Sequence, residues 1–297
     1  MESSAKAPAK VYAFLLAGVL SFGAAPVFVR MAGETDPILL AAGRLLFALL
    51  FLLPFWIPRA QSPAALRKSG IRPVYPLLAG LCLGLHLALW IASLQLTSVA
   101  SASVLVTMHP VILIVFERFL FARKFPAHVW IGVATAFFGS ILLGYSDLRF
   151  QDLTQFPYSA LGNTLAAIAA LLFAVYFLIG RKIRQRTDWI NYVTYVYGLA
   201  CVVCLGLVPA VSGLKPTWEP GAWLVMVLLA VGPTLMGHGS MNYAVKYFSA
   251  TTLATLILVE ALLASGFAFV LYGELPPALS LLAMGVILGG VVLTWYT

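Results

Sequence analysis

Apolar residues run in blocks of about twenty along almost the whole chain, separated by short segments that hold most of its charge. A helix needs about 20 such residues to cross a hydrocarbon core of ~30 Å. By that measure the sequence predicts ten spans. The first five are Val11–Arg30, Pro37–Trp56, Val74–Leu96, Ser98–Phe121 and Pro126–Ser146. The second five are Tyr158–Gly180, Trp189–Ser212, Gly221–Ala244, Phe248–Tyr272 and Pro276–Tyr296. Lipid gives backbone groups no partner, and the runs lack the polar–apolar alternation of a barrel strand, so each is predicted to be a helix.

Composition agrees with that reading. Hydrophobic residues make up 62% of the 297 positions and charged residues only 9%, against roughly 25% charged in a soluble domain. A surface so poor in charge faces lipid. The net charge of +8 could suit nucleic acid, but the cations sit between spans, where they report orientation. With the N-terminus inside, the cytoplasmic side collects fourteen Lys and Arg residues, and Arg30, Arg149 and Lys215 fall on the other side. That bias supports the even count and places both termini in the cytoplasm. The segment Met1 to Lys10 shows no small-residue cleavage pattern, so the first run is expected to remain as a span. Cys82, Cys201 and Cys204 all lie inside apolar runs, which argues for helix packing rather than a disulfide framework or zinc site.

Sliding the chain on itself by 151 positions shows a weak internal repeat. Leu20-Ser21-Phe22-Gly23 falls on Leu171-Leu172-Phe173-Ala174, Arg30 on Arg181, Ser98 on Ser249 and His109 on Glu260. Arg123 falls on Glu274, Pro126 on Pro277 and Gly139 on Gly290. Five spans per half is an odd number, so the second half is predicted to insert upside down relative to the first. Inverted repeats of this kind place a binding site near the midplane, between the halves. Gly80-x-x-x-Gly84, Gly285-x-x-x-Gly289 and the line Ala166, Ala170, Ala174 are expected to pack helices closely.

Ionisable residues inside spans cost about 2.5–3.5 kcal/mol each at the bilayer centre, so each needs a reason. Arg44, His86, His109 and Glu260 come from four different spans, yet by residue count they sit at similar depth. One shared polar cavity explains all four. A structural Arg44–Glu260 ion pair, with the histidines hydrogen-bonded between helices, is the plainer alternative. A lone midplane carboxyl such as Glu260 could also couple proton movement to transport. Pro110 and Gly232-Pro233 interrupt spans 4 and 8, as passive kinks or as hinges that expose backbone groups, and His238 lies just beyond the second. Trp56, Trp130, Trp189, Trp218, Trp223 and Trp295 fall near span ends, as interface anchors do. Trp90 instead shares a helix face with His86, four residues away. Tyr192, Tyr195 and Tyr197 in span 7 are either packing residues or walls for an apolar substrate. There is no Walker sequence, no His-Glu-x-x-His and no Gly-x-Ser-x-Gly.

The ordered set of these residues resembles the drug/metabolite transporter superfamily, in its ten-helix form with two EamA-like repeats. In the first repeat the likeness rests on Leu20-Ser21-Phe22-Gly23, Ala41-Ala42-Gly43-Arg44-Leu45-Leu46, Thr97-Ser98-Val99-Ala100-Ser101, His109-Pro110-Val111, Gly132 and Gly139. In the second it rests on Ser249-Ala250-Thr251, Val259-Glu260-Ala261, Leu271-Tyr272-Gly273-Glu274 and Gly285. Arg123 stands where the family has a glutamate after span 4, and Ala261 where it has a proline in span 9. The resemblance implies efflux of metabolites by alternating access, with spans 5 and 10 apart from the transport core. Within the family the chain looks most like the YddG-like exporters of aromatic and other neutral amino acids.

The expectation is therefore an all-α membrane protein of the bacterial inner membrane, with repeats over 11–146 and 158–296. Its cavity is expected to be lined by His86, Trp90, His109, Tyr195 and Glu260, with Arg44 beside the substrate carboxylate or paired to Glu260, and His238 a further candidate. No cofactor, metal or nucleic acid is implied; the partners are a small-molecule substrate and membrane lipid, and a homodimer stays open. The rival readings are a passive channel or uniporter, and a membrane-embedded enzyme using His86, His109 and Glu260.

Overall fold

The computed structural model describes residues 7–97, 99–120, 122–150, 157–213, 215–272 and 277–295, and every regular element among them is helical. The long helices of the first half are α1 (Ala9–Met31), α2 (Pro37–Trp56), α4 (Val74–Leu96) and α7 (Ala127–Phe150), with a short α3 (Pro63–Lys68) between α2 and α4. Those of the second half are α8 (Ser159–Arg184), α9 (Trp189–Leu207) and α14 (Ala278–Trp295). Eight helices among the described residues are long and apolar enough to cross a membrane, and a shorter apolar helix covers Ala127–Leu143. Several capping residues are plain in the sequence. Asp36 accepts from the Ile38 and Leu39 amides ahead of Pro37, Asp188 from the Asn191 amide, and Ser249 from the Thr252 amide.

Span 4 is not one helix, in line with the interruption expected at Pro110. It breaks at Thr107-Met108 into α5 (Val99–Val106) and α6 (His109–Leu120). Pro110 is the cause, since it has no N–H to offer the Val106 carbonyl one turn earlier. Span 8 breaks as well: α10 (Ala222–Leu229) gives way to a wider π-helical turn over Ala230–His238, before α11 (Gly239–Ala244). Span 9 divides into α12 (Ala250–Ile257) and α13 (Val259–Tyr272) at Leu258, even though position 261 carries alanine rather than proline. The 151-residue shift carries Thr107 onto Leu258, so spans 4 and 9 break at matching places, one or two residues ahead of His109 and Glu260.

Packing partners come mostly from the opposite half. α4 lies along α8, α1 crosses the π-helical part of span 8, α2 packs on α9, α6 on α12 and α7 on α14. Exchanging the two halves span for span (1 with 6, 2 with 7, and so on) returns the same pairs of spans. Backbones approach closely at several of these contacts. A Cβ on Gly84 would come within 2.9 Å of the Ala200 carbonyl oxygen, and one on Gly80 within 2.9 Å of that of Val196. In α14 the close residue is Gly290, where a Cβ would sit 2.4 Å from the Ala136 nitrogen; Gly285 and Gly289 have nothing within 4 Å. Among the described residues the Gly285/Gly289 face meets nothing, and the helix contact belongs to Gly290. Ala166, Ala170 and Ala174 are fully buried in α8 as expected, and all three cysteines are buried and free. Ser98, Gly273, Glu274, Tyr296 and Thr297 lie outside the described residues.

Candidate functional site

A cavity lies where the helix breaks converge. It is walled by α1, α2, α4, the α5–α6 break, α8, the π-helical turn and the α12–α13 break, with no lining residue from α7 or α14. It is partly open and offers about 440 Å³ of space between atoms. Six of the seven residues singled out in the sequence line it: Arg44, His86, Trp90, His109, His238 and Glu260.

Each polar wall residue is set by its backbone. Pro110 leaves the Val106 carbonyl without its helical donor, and His109 Nδ1 meets that oxygen at 2.8 Å. His109 Nε2 is buried with no hydrogen-bond partner among the described residues. In the π-helical turn the Thr234 hydroxyl donates to the Leu229 carbonyl at 2.9 Å. Thr234 Oγ1 in turn accepts from Arg44 Nε at 2.8 Å, and the Thr234 carbonyl accepts from the Tyr197 hydroxyl at 3.0 Å. Beside each proline a side chain thus bonds back to a carbonyl of its own helix, and that side chain belongs to the cavity or holds a residue of its wall. His86 Nδ1 meets the Ala169 carbonyl at 2.9 Å, which ties α4 to α8.

The charges in the cavity are not paired with one another. Arg44 is 1% exposed, and its Nη2 is buried with no hydrogen-bond partner among the described residues. No ion pair within 4.0 Å joins it to Glu260, whose carboxylate likewise has no hydrogen bond among the described residues. The structural ion pair that the sequence left open is therefore not formed. Around these charges stands an aromatic wall. Phe22 lies edge-on to His238 at 5.1 Å, and the Phe173 ring is 4.5 Å from His109 and 5.2 Å from His86.

The comparisons with known proteins bear on what such a cavity serves. The model of the EamA-like transporter family matches the chain twice, over residues 9–145 and 160–296. This chain belongs to the EamA-like transporter family. It is a multi-pass membrane transporter rather than an enzyme. An uncharacterized transporter of Archaeoglobus fulgidus is 28% identical over 95% of both chains. The uncharacterized transporter YdfC of Bacillus subtilis is 25% identical over 67% of this chain and 63% of its own length. A crystal structure of another protein superposes with a TM-score of 0.77 over 97% of this chain and 98% of that one, at 18% identity, and so shares its fold.

Tyr195 is the exception among the expected wall residues of this EamA-like chain. Its hydroxyl donates to the Gln61 carbonyl, and its ring lies 5.9 Å from Trp56, at the end of α9 away from the cavity. Tyr192 and Tyr197 are fully buried, whereas Tyr195 is only partly buried. Glu117 is a residue the sequence reading passed over. It is 0% exposed, pairs with Arg181 of α8, accepts from Thr251 Oγ1 of α12 at 3.0 Å, and lies 3.5 Å from Arg123. Ala122, in the left-handed region at φ 50°, turns the chain so that the Arg123 amide bonds back to the Glu117 carbonyl at 3.1 Å. Three segments thus meet on one buried carboxylate. Among the described residues no group of three or more His, Cys, Asp or Glu is placed to hold a metal ion.

Proposed function

We propose that this chain exports small metabolites, foremost aromatic and neutral amino acids, by alternating access through the central cavity. In this reading ten spans form two inverted five-helix halves, over 11–146 and 158–296, in a bacterial inner membrane with both termini cytoplasmic. Pairs of packed helices that survive exchange of the halves, and breaks at matching positions of spans 4 and 9, support it. Spans 1–4 rock against spans 6–9, while α7 and α14 pack chiefly on each other outside the cavity.

One observation carries the substrate class. A buried guanidinium with an unpartnered nitrogen and an unpaired carboxylate share one aromatic chamber. Buried charges held apart cost several kcal/mol, which a zwitterion would offset by bringing its carboxylate to Arg44 and its ammonium to Glu260. Its side chain would lie against Phe22, Trp90 and Phe173, whose rings tolerate many apolar shapes. His109 Nε2 is a further acceptor for the ammonium.

The test is counterflow of radiolabelled amino acids in proteoliposomes. Phenylalanine and leucine should exchange, and decarboxylated phenethylamine should not. Equal exchange of the amine, or none of any amino acid, would contradict the proposal.

A further inference from the structure

A second, larger void opens at the end of the molecule where α8 stops and α9 begins. It is open to solvent and offers about 830 Å³ of space between atoms, so it can admit a polyatomic group. Arg184, Arg186 and Lys246 stand on its wall with one carboxylate, Asp188. That carboxylate is tied to Asn191 while its charge still acts on Arg184, so the wall carries two net positive charges. Its Oδ1 accepts from the Asn191 amide at 3.0 Å and its Oδ2 from Asn191 Nδ2 at 2.7 Å.

The two guanidinium groups are held in place by the fold. Arg184 is 4% exposed, with Nε donating to the Asn242 carbonyl at 2.9 Å and Nη1 to the Thr187 carbonyl. Arg186 Nη1 donates to the Gly70 carbonyl at 3.1 Å, across the loop that leads into α4. Both contacts are to neutral carbonyls, which orient the guanidinium without neutralising it, and Arg184 Nη2 has no hydrogen bond among the described residues. A planar guanidinium fixed before its ligand arrives loses little entropy on binding. Trp189, Tyr243 and Tyr247 supply a less polar side, with ring centroids 6.4 Å and 6.2 Å apart in sequence. None of these residues lines the central cavity.

We propose that this void binds an oxyanion, a phosphate or carboxylate group, at the basic end of the helices. Arg184 and Arg186 form the fork and Lys246 adds the third charge. The anion has two sources, the phosphate of an anionic lipid headgroup and a soluble phosphate or carboxylate, and both meet the same side chains. The site is independent of the export reading, because it does not involve Arg44 or Glu260.

Melting of the purified full-length protein in neutral detergent tests it. The ligands are inorganic phosphate at constant ionic strength, and dioctanoyl phosphatidylglycerol against dioctanoyl phosphatidylcholine. The double variant Arg186→Gln, Lys246→Gln is measured in parallel, since both side chains reach solvent and Arg184 is left in place. An oxyanion should raise the melting temperature of the native protein, and the variant should need about tenfold more ligand for the same shift. A shift with phosphate assigns a soluble ligand, and a shift with phosphatidylglycerol alone assigns a headgroup. No shift with either, or the same shift in the variant, overturns the proposal.

Discussion

Arg44 is held by Thr234, across the two halves of the chain, through a hydrogen bond of 2.8 Å to a hydroxyl that itself caps the Leu229 carbonyl. The hydroxyl thus ties the wider turn of span 8 to a cation in the cavity. Thr234→Val keeps the shape and strands Arg44 Nε, at about 1–3 kcal/mol for a buried group left unpaired. The melting temperature and the uptake rate should both fall, and Thr234→Ser should restore them. A valine variant as stable and active as the serine variant would contradict the chain of bonds.

Trp90 and Tyr195 separate cavity walls from packing residues. Trp90→Ala removes a wall of the chamber, and its apparent KM should rise about tenfold, equivalent to about 1.4 kcal/mol of lost contact. Tyr195→Phe removes only the bond to the Gln61 carbonyl. Its KM should stay within about twofold of the native value. Competition with unlabelled substrate in proteoliposomes measures both.

Much of this was legible in the chain because lipid leaves few choices. Apolar block length gave the helices, and the cost of burying charge pointed to Arg44, His86, His109 and Glu260, which do share a cavity. Tyr195 offers a stacking ring in span 7, yet its hydroxyl bonds the Gln61 carbonyl and no described residue of α9 lines the cavity, which an aromatic's presence in a span cannot foretell. Glu117 stayed hidden beside Arg118 near a span end, where a charge usually meets water; its partners Arg181 and Thr251 are 64 and 134 residues away in the chain. The break at Leu258 had no proline to announce it.

Removing Arg181 should harm the fold more than neutralising Glu117. Arg181→Ala leaves a fully buried carboxylate with Thr251 and with Arg123 at 3.5 Å, whereas Glu117→Gln leaves a cation whose side chain is 22% exposed and can reach water. Breaking a buried pair costs up to about 3–5 kcal/mol. Melting temperatures should rank native above Glu117→Gln above Arg181→Ala, and the reverse order of the two variants would refute the assignment.

Gly290 and Gly289 are neighbours with opposite roles. Alanine at 290 would press on the Ala136 backbone nitrogen at 2.4 Å, so Gly290→Ala should separate α14 from α7 and lower folded yield. Crowding a tight contact costs about 1–3 kcal/mol. Gly289→Ala meets nothing within 4 Å and should behave as native in size-exclusion chromatography after detergent extraction.

The most direct measurement places a single cysteine at Ala25, on the α1 wall of the cavity, in a protein with Cys82, Cys201 and Cys204 replaced by alanine. A membrane-impermeant maleimide is then added from either face of sealed vesicles, with and without phenylalanine. The account predicts labelling from each face and protection by phenylalanine. A thiol sealed from both faces, or labelled equally whether or not phenylalanine is present, would contradict it.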